Sequence, residues 1–430
     1  MSNFTPDLVQ SVDPRTAIPA APILILVPAP IASLHAAGVA PADDGDTRVL
    51  GLGLMRRTVM AARRAGYGQV YFLARDHAAP PGIATIPNWS QLAAAFVTSR
   101  TAPLLIAPAA ILSEIDWLER LAETQIEPIA WAAVPHRIVM LAAAAIPDVL
   151  AVLDAEGGAY DLTAVQDRLT RRFGSPAPIP VGVDPMIIVT STDVRVAERR
   201  LLRMLIKETD GFMARHVERP ISLQISRCLA PTAVTPNQIT MVSVAVGLSG
   251  APFFVSALWP WQTVGALLLL AHSILDGCDG ELARLRFQES RWGGVLDFWG
   301  DNVVHIATFS CMAAGWSLSA AATWPFLLGA AAVLGNLGSA GFVYWWLMRA
   351  KDDSGPLFTS VSTVPNRRLA RLLDAASRRD FIYLVLILAL LGKSNWVLLL
   401  ASLGTPIFFF LLVFLALRER LPKIPTTSGA

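Results

Sequence analysis

The stretch DGCDGELARLRFQESRWGGVLDFWGD, residues 276–301, places four aspartates in or beside two apolar segments. Asp276 and Asp279 lie three residues apart near the end of the first segment, and Asp297 and Asp301 lie four residues apart near the start of the second. Such spacings put each pair on one face of a helix. Because a short turn joins the two segments, we expect the pairs to face one another at the same depth in a membrane.

Four facing carboxylates in apolar helices need compensating charge, because an ionised side chain at the centre of a membrane helix costs at least about 2.5 to 3.5 kcal/mol. Isolated ion pairs with Arg284 or Arg286 are one explanation, but two arginines are too few for four carboxylates. The all-oxygen donor set favours Mg²⁺, Mn²⁺ or Ca²⁺, and paired divalent ions suit displacement at phosphorus. The pattern therefore predicts a metal centre, with structural ion pairs as the alternative.

The composition supports a membrane-embedded region. Of the 430 residues, 54% are hydrophobic and only 16% are charged, against about 25% charged residues in an ordinary soluble domain. The mean hydropathy is +0.50. The net charge of +2 is too small to indicate a nucleic-acid partner. The three cysteines lack the spacing of a zinc site, and they are too few for a disulfide framework.

Residues 1–193 predict a cytoplasmic α/β domain. Short apolar runs bounded by turn residues alternate with helical stretches such as Met55–Ala65, which favours a mostly parallel sheet covered by helices. The runs are Ile23–Val27, Gln69–Leu73, Pro103–Ala107 and Ile129–Val134. The first residues, MSNFTPDLVQSVDPR, lack the basic start and apolar run of a secretory signal. We therefore expect this domain to stay in the cytoplasm.

Residues 194–235 predict amphipathic juxtamembrane helices. Five basic residues between Arg195 and Lys207 alternate with leucines and an isoleucine. A basic amphipathic helix suits a membrane surface, and the alternative is a solvated helix that packs on the first domain.

Residues 236–420 predict six transmembrane helices. The apolar stretches lie at 239–258, 262–283, 295–318, 322–348, 381–392 and 396–417. Basic residues concentrate in the connections at 284–292 and 349–379 and in the C-terminal tail. Cytoplasmic loops retain lysine and arginine, so an integral membrane protein with both termini in the cytoplasm is expected.

The spacing within residues 276–301 resembles the signature of a known family. The pattern Asp276-x2-Asp279-Gly-x2-Ala-Arg-x8-Gly293-x3-Asp297-x3-Asp301 is similar at every defined position to that of the CDP-alcohol phosphotransferases. The resemblance implies a six-helix membrane enzyme that moves a phospho-alcohol or phosphatidyl group to an acceptor alcohol and releases CMP. The implied donor is CDP-diacylglycerol or a CDP-alcohol, and the implied process is phospholipid biosynthesis.

The resemblance also implies site residues. Asp276, Asp279 and Asp297 match ligands of a centre with two Mg²⁺ or Mn²⁺ ions, and Asp301 matches a further ligand or the general base on the acceptor hydroxyl. The positions that match contacts to the CDP donor are Asn237, Thr240, Gly280, Ala283, Arg284 and Ser290.

A longer similarity runs from Lys207 through Arg219 to the Thr235-Pro-Asn segment. It resembles the juxtamembrane region of two-domain members of the di-inositol phosphate phosphate synthase and phosphatidylinositol phosphate synthase type. This implies a homodimer in a bacterial or archaeal-type inner membrane, and it favours a polyol phosphate such as inositol phosphate as the acceptor.

The first domain of such two-domain members is a nucleotidyltransferase. Here the strand at 22–28 is not followed by the glycine-rich loop that holds a triphosphate, so we expect a degenerate, inactive nucleotidyltransferase-like domain.

Three interpretations remain open from the residues alone. His272 and His305 lie about one helical turn from Asp276 and Asp301, and each suits either a ligand or a hydrogen bond between helices. Arg378 and Arg379 suit either an acceptor phosphate or a topology anchor. Finally, the whole chain could be a catalytically silent membrane scaffold that binds partners through its first domain, although the complete aspartate set argues against it.

Overall fold

The computed structural model describes residues 21–27, 47–73, 83–86, 88–89, 103–124, 131–134, 138–141, 145–155, 162–175, 177–178, 185–206, 210–345 and 381–420. The chain divides into two compact units, Met1–Leu201 and Leu202–Ala430.

The first unit is an α/β fold around a mainly parallel sheet. The strands are β1 Ile23–Val27, β2 Arg48–Val49, β3 Leu52–Gly53, β4 Gln69–Leu73, β5 Ala84–Ile86, β6 Leu104–Pro108, β7 Ile111–Leu112, β8 Trp131–Val134, β9 Ile138–Leu141, β10 Ala177–Pro178 and β11 Met186–Ile187. The helices are α1 Leu54–Arg64, α2 Ile115–Glu123, α3 Ile146–Ala155, α4 Leu162–Phe173 and α5 Ser191–Met204. The main sheet has the order β10-β8-β9-β6-β1-β4-β5, and β9 runs antiparallel to both of its neighbours. The predicted mostly parallel sheet is confirmed.

The sheet is buried on both faces at its centre. Every residue of β1 is buried, and β1 pairs in parallel with β4 and β6. The apolar faces of α3 and α4 pack against this sheet. A central parallel strand with both faces covered has no need for alternating polar residues, which explains why the run Ile23–Val27 was recognisable in the sequence.

One face of α5 packs on the first unit. Ala197 is fully buried against Leu54 and Leu112, and Leu201 packs on the same cluster. Arg200 on this helix forms an ion pair with Glu114, with an Nη2 to Oε1 distance of 2.5 Å. This face of the helix thus packs on the first domain, and the contact of the basic helix with a membrane surface stays a prediction.

The second unit is helical. Its helices are α6 Arg219–Leu229, α7 Pro236–Gly250, α8 Trp259–Arg286, α9 Arg291–Ala320, α10 Pro325–Val343, α11 Phe381–Leu390 and α12 Ser394–Arg420. A π-helical stretch, Ala214–Glu218, precedes α6, and a 3₁₀ turn, Ala251–Val255, follows α7. Each of the six predicted apolar stretches overlaps one of the helices α7 to α12.

Four segments of the described chain are long and apolar enough to cross a membrane. They are Pro236–Val255, Arg291–Ala320, Pro325–Val343 and Ser394–Leu417. Helix α8 is long enough at 28 residues, but its second half carries the aspartates and arginines. Helix α11 has 10 residues, which is about 15 Å of helix against about 30 Å of hydrocarbon. A membrane-embedded second unit is thus supported, with four candidate spans.

Local signals fix where the helices around the aspartates begin and end. Helix α7 starts with a capping box between Thr235 and Gln238. Helix α8 ends where Phe287 adopts the left-handed conformation, with φ of 57°. Three residues later the Ser290 side chain accepts a hydrogen bond from the Gly293 backbone N–H at 3.0 Å and begins α9. This short turn brings the end of α8 beside the start of α9.

Small residues let α10 and α12 pack closely. A Cβ atom added to Gly335 would lie 2.5 Å from both the Pro406 nitrogen and the Thr405 Oγ1. Because Pro406 N is backbone, it cannot move as a flexible side chain would. Gly335 is therefore a close-approach site between two candidate spans.

We expect Gly335→Ala to lower the free energy of unfolding by about 1 to 3 kcal/mol, the usual cost of overpacking. Thermal unfolding of the full chain in detergent micelles measures this change. Gly341→Ala is the matched control, since a Cβ there meets nothing within 4 Å and alanine favours a helix over glycine by about 1 kcal/mol. Equal melting temperatures for the two variants would contradict the predicted contact.

Candidate active site

Three of the four aspartates meet at the junction of α8 and α9. One carboxylate oxygen from each of Asp276, Asp279 and Asp297 lies within 4.8 Å of the others. Asp276 and Asp279 are buried, with exposed fractions of 4% and 6%. Oδ1 of Asp297 is also buried, and it accepts no hydrogen bond from the described residues. Buried carboxylates at this separation repel one another, and a cation between them would offset that repulsion.

The two nearby arginines do not supply that cation. The guanidinium of Arg286 donates hydrogen bonds to carbonyl oxygens at the end of α6 and in the loop between α6 and α7. These acceptors are Leu229 at 2.7 Å, Ala230 at 2.9 Å, Thr232 at 2.6 Å and Val234 at 2.5 Å. Within the described ranges, neither Arg284 nor Arg286 forms an ion pair with the aspartates. The arrangement fits hard divalent cations such as Mg²⁺ or Mn²⁺, which prefer carboxylate oxygens.

Asp279 is held in place from two sides. Thr240 on α7 donates its hydroxyl proton to Oδ2 of Asp279, and the backbone N–H of Gly280 donates to Oδ1. Both donors leave further lone pairs on the carboxylate for a metal ion. Thr240, which was predicted as a contact to the donor, therefore also orients a predicted metal ligand.

Asp301 stands apart from the group of three. Its Oδ1 lies 3.4 Å from Nε2 of His272, and its side chain is 35% exposed. Nδ1 of His272 lies 2.9 Å from the Ser243 carbonyl oxygen. Since a carbonyl only accepts hydrogen bonds, Nδ1 carries a proton and Nε2 faces Asp301. His272 thus bridges α7, α8 and α9.

A single large cavity joins these groups. Its volume is about 1020 Å³, at the upper end of the range for small-molecule sites. All ten predicted site residues line it, namely Asn237, Thr240, Asp276, Asp279, Gly280, Ala283, Arg284, Ser290, Asp297 and Asp301. Apolar side chains of α11 and α12, including Phe381, Leu384, Leu400 and Phe408, line it as well. The cavity therefore offers both a carboxylate wall and an apolar wall.

Residues 233–365 match the CDP-alcohol phosphatidyltransferase family. The chain carries a CDP-alcohol phosphatidyltransferase domain. It is 39% identical over 145 residues to the bifunctional IPC transferase and DIPP synthase of Rubrobacter xylanophilus, covering 33% of this chain and 32% of the relative. It is 34% identical over 79 residues to the inner membrane protein YnjF of Escherichia coli, covering 18% and 36%. It is 32% identical over 82 residues to the archaetidylinositol phosphate synthase of Pyrococcus horikoshii, covering 19% and 41%. The chain thus matches about a third of the length of these relatives.

In the CDP-alcohol phosphatidyltransferase domain, the residues predicted to contact the donor converge from three helices. A Cβ on Gly280 would lie 3.2 Å from Nη1 of Arg284, so the guanidinium lies over this glycine. A Cβ on Gly293 would lie 3.0 Å from Oδ1 of Asn237, which brings α7 against α9. The absence of a side chain at Gly280 leaves room beside the cation of Arg284, where a diphosphate group would find its partner.

A buried ionic network supports the same domain, and sequence reasoning missed it. Glu281 is fully buried. Its Oε1 accepts hydrogen bonds from Arg219 Nη1 and Ser222 Oγ, and its Oε2 accepts one from Ser226 Oγ, each at 2.7 Å. Asp210 binds the other side of Arg219, at 2.8 Å from Nε. Burial opposes the charge of Arg219, but Asp210 and Glu281 raise its pKa above the ordinary value. The available signal was the spacing of Arg219, Ser222 and Ser226, which share one face of α6.

Some sequence predictions fall outside the described residues. Arg378, Arg379 and the basic segment 349–379 are among them. His305 is described: it lines the cavity and packs its ring near Phe309 and Phe381. It is not part of the aspartate group.

Proposed function

We propose that the chain is an integral-membrane transferase that moves a phospho-alcohol or phosphatidyl group from a CDP-linked donor to an acceptor alcohol and releases CMP. The observation that carries this proposal is the meeting of Asp276, Asp279 and Asp297 on the wall of a cavity that also contains Arg284. The family match covers the same residues.

The residues of the cavity divide the chemistry between them. Asp276, Asp279 and Asp297 would hold two Mg²⁺ or Mn²⁺ ions. When bound, such ions neutralise the negative charge that develops on the phosphate oxygens. Arg284 binds the diphosphate of the donor. Asp301 takes the proton of the acceptor hydroxyl while the acceptor oxygen bonds to phosphorus and the bond from that phosphorus to CMP breaks.

Asp301 has two possible roles, general base and metal ligand. The position of His272 favours the general base. The carboxylate lies outside the group of three and 3.4 Å from the imidazole nitrogen. His272 in turn is anchored on the Ser243 carbonyl. A base held by a positioned neighbour keeps its orientation toward the acceptor.

We further propose the six-helix topology, with both termini in the cytoplasm of a bacterial or archaeal-type inner membrane and with a homodimer as the assembly. The basic connections at 284–292 and 349–379 support this orientation.

For the first unit we propose a nucleotidyltransferase-like domain that is inactive with CTP. The isolated domain is expected to release no pyrophosphate from CTP and an alcohol phosphate.

Chelation of divalent cations is expected to abolish the activity. Membranes containing the full chain should release CMP from CDP-diacylglycerol or CDP-inositol when an acceptor such as inositol phosphate is present. Excess EDTA should stop this release, and added Mg²⁺ or Mn²⁺ should restore it, because the carboxylates alone repel the diphosphate. CMP is measured by chromatography.

Two outcomes would contradict the proposal. CMP release that survives EDTA would exclude the metal centre. No CMP release with any donor and alcohol, from protein that binds CDP, would favour the silent scaffold.

A further inference from the structure

The cavity wall carries a second group of polar side chains, on α9 and α10. Asn302 on α9 and Asn336 and Ser339 on α10 all line the cavity. Asn302 directly follows Asp301 in the chain, and Asn336 and Ser339 lie three residues apart on one face of α10. We call these three residues the α9–α10 polar group.

Hydrogen bonds join the two asparagines of the α9–α10 polar group, but some of their donors and acceptors remain unused. Nδ2 of Asn336 donates to Oδ1 of Asn302 at 3.0 Å, and Nδ2 of Asn302 donates to the Phe298 carbonyl at 2.7 Å. Oδ1 of Asn336 accepts no hydrogen bond from the described residues. Each amide also keeps one N–H, because an asparagine has two donors on nitrogen.

Ser339 shows that the group is more than a contact between helices. The residue is 8% exposed, and its Oγ has no hydrogen-bond partner among the described residues. A hydrogen bond across two membrane helices accounts for the two asparagines, but it does not account for a buried hydroxyl without a partner on the wall of the cavity. Buried polar groups are normally satisfied, so Ser339 indicates a ligand.

The chemistry of the group is neutral. Within the described ranges, the arginines that line the cavity are Arg219 and Arg284, which lie on α6 and α8. Apart from Asp297, Asp301 and His305 on α9, the polar groups that α9 to α12 present there are amides and hydroxyls, without a lysine or arginine. Amides and hydroxyls can bind the hydroxyl groups of an alcohol, because both partners donate and accept hydrogen bonds.

We propose that Asn302, Asn336 and Ser339 form the part of the acceptor site that binds the additional hydroxyl groups of a polyol, beside the carboxylate of Asp301. This rests on the proposed transferase function. Hydrogen bonds to these hydroxyls hold the polyol so that one of its hydroxyls faces Asp301. The donor diphosphate stays with Arg284 and the aspartates.

The test measures CMP release by the full chain in detergent micelles, with CDP-diacylglycerol or CDP-inositol as donor. The acceptor panel is myo-inositol, myo-inositol 1-phosphate and glycerol 3-phosphate. Asn336→Leu and Ser339→Ala should each raise the KM for the accepted polyol at least about tenfold, the effect of one lost hydrogen bond. The KM for the donor should stay within about twofold of the wild-type value, since Asn336 and Ser339 lie on α10 and Arg284 lies on α8.

Ser402→Ala is the matched control. Ser402 is 5% exposed on α12, its Oγ donates to the Leu399 carbonyl at 2.8 Å, and it does not line the cavity. Its substitution should leave the polyol KM unchanged. Ser339→Ala removes no hydrogen bond within the described structure, so it guards against a folding defect in Asn336→Leu.

The outcomes separate the two proposals. An unchanged polyol KM in both variants, with an active wild type, would overturn the polyol site and leave the transferase proposal standing. A parallel rise in both the donor and the polyol KM would show a purely structural role and also overturn the site. A wild type that releases no CMP with any acceptor would overturn the transferase proposal and the polyol site with it.

Discussion

Replacing Asp279 by Asn is expected to lower CMP release by at least about 10³-fold, which corresponds to about 4 kcal/mol of transition-state stabilisation. The substitution removes the charge of a carboxylate that Thr240 and Gly280 hold toward the aspartate group. Because the shape of the side chain hardly changes, the fold should survive. Initial rates of CMP release at saturating donor and acceptor measure the effect. Asp116→Asn, at an exposed position on α2, should leave the rate unchanged.

Asp301→Asn should produce a comparable loss of rate but a different binding pattern. If Asp301 is the base, this variant should still be stabilised against heat by CDP with Mg²⁺, whereas Asp276→Ala should not be. Loss of the stabilisation in Asp301→Asn would instead make Asp301 a metal ligand. Unchanged CMP release in both Asp279→Asn and Asp301→Asn would refute the assigned site.

The largest effect on stability is expected from Arg219→Met. The substitution leaves Glu281 fully buried without its guanidinium partner, and removal of one member of a buried ion pair costs about 3 to 5 kcal/mol. Ser222 and Ser226 still donate hydrogen bonds to Glu281, but two hydroxyls do not replace a positive charge. Thermal and urea unfolding of the full chain in detergent measure the loss.

A second variant isolates the ionic contribution. The double variant Arg219→Met with Glu281→Leu should recover much of the lost stability, because it no longer buries an unpaired charge. Lys393→Met is the surface control, since Lys393 is exposed between α11 and α12. A single variant as stable as this control would show that the Arg219 contact with Glu281 contributes nothing.

The sequence predicted the elements whose patterns are local. The buried strand Ile23–Val27 and the six apolar helical stretches follow from runs of side chains along the chain. The grouping of Asp276, Asp279 and Asp297 follows from their spacing and from the short turn after Phe287. In each case neighbouring residues carry the whole signal.

What the sequence did not reveal depends on residues far apart in the chain. Glu281 was an unmarked position within the signature, and its partner Arg219 lies 62 residues away. Asn336 attracted no notice because a single amide in an apolar helix has no partner within reach along the sequence; its partner, Asn302, lies 34 residues away. The separation of Asp301 from the other three aspartates also required His272 to be placed in space. Helix packing determines such pairs, and helical periodicity does not encode which helices pack together.

The hydrogen bonds of the Arg286 guanidinium limit which insertions the connection between α6 and α7 tolerates. The guanidinium donates hydrogen bonds to the carbonyl oxygen of Leu229, the last residue of α6, and to three carbonyl oxygens of the connection between α6 and α7. These contacts depend on the backbone and constrain the number of residues at 230–234 rather than their side chains, because an insertion would displace the carbonyls from the rigid fork of the arginine. Lysine, with a single ammonium group, could not span the same four acceptors. The length of this connection is thus tied to a residue more than fifty positions away, at the end of the helix that carries Asp276 and Asp279.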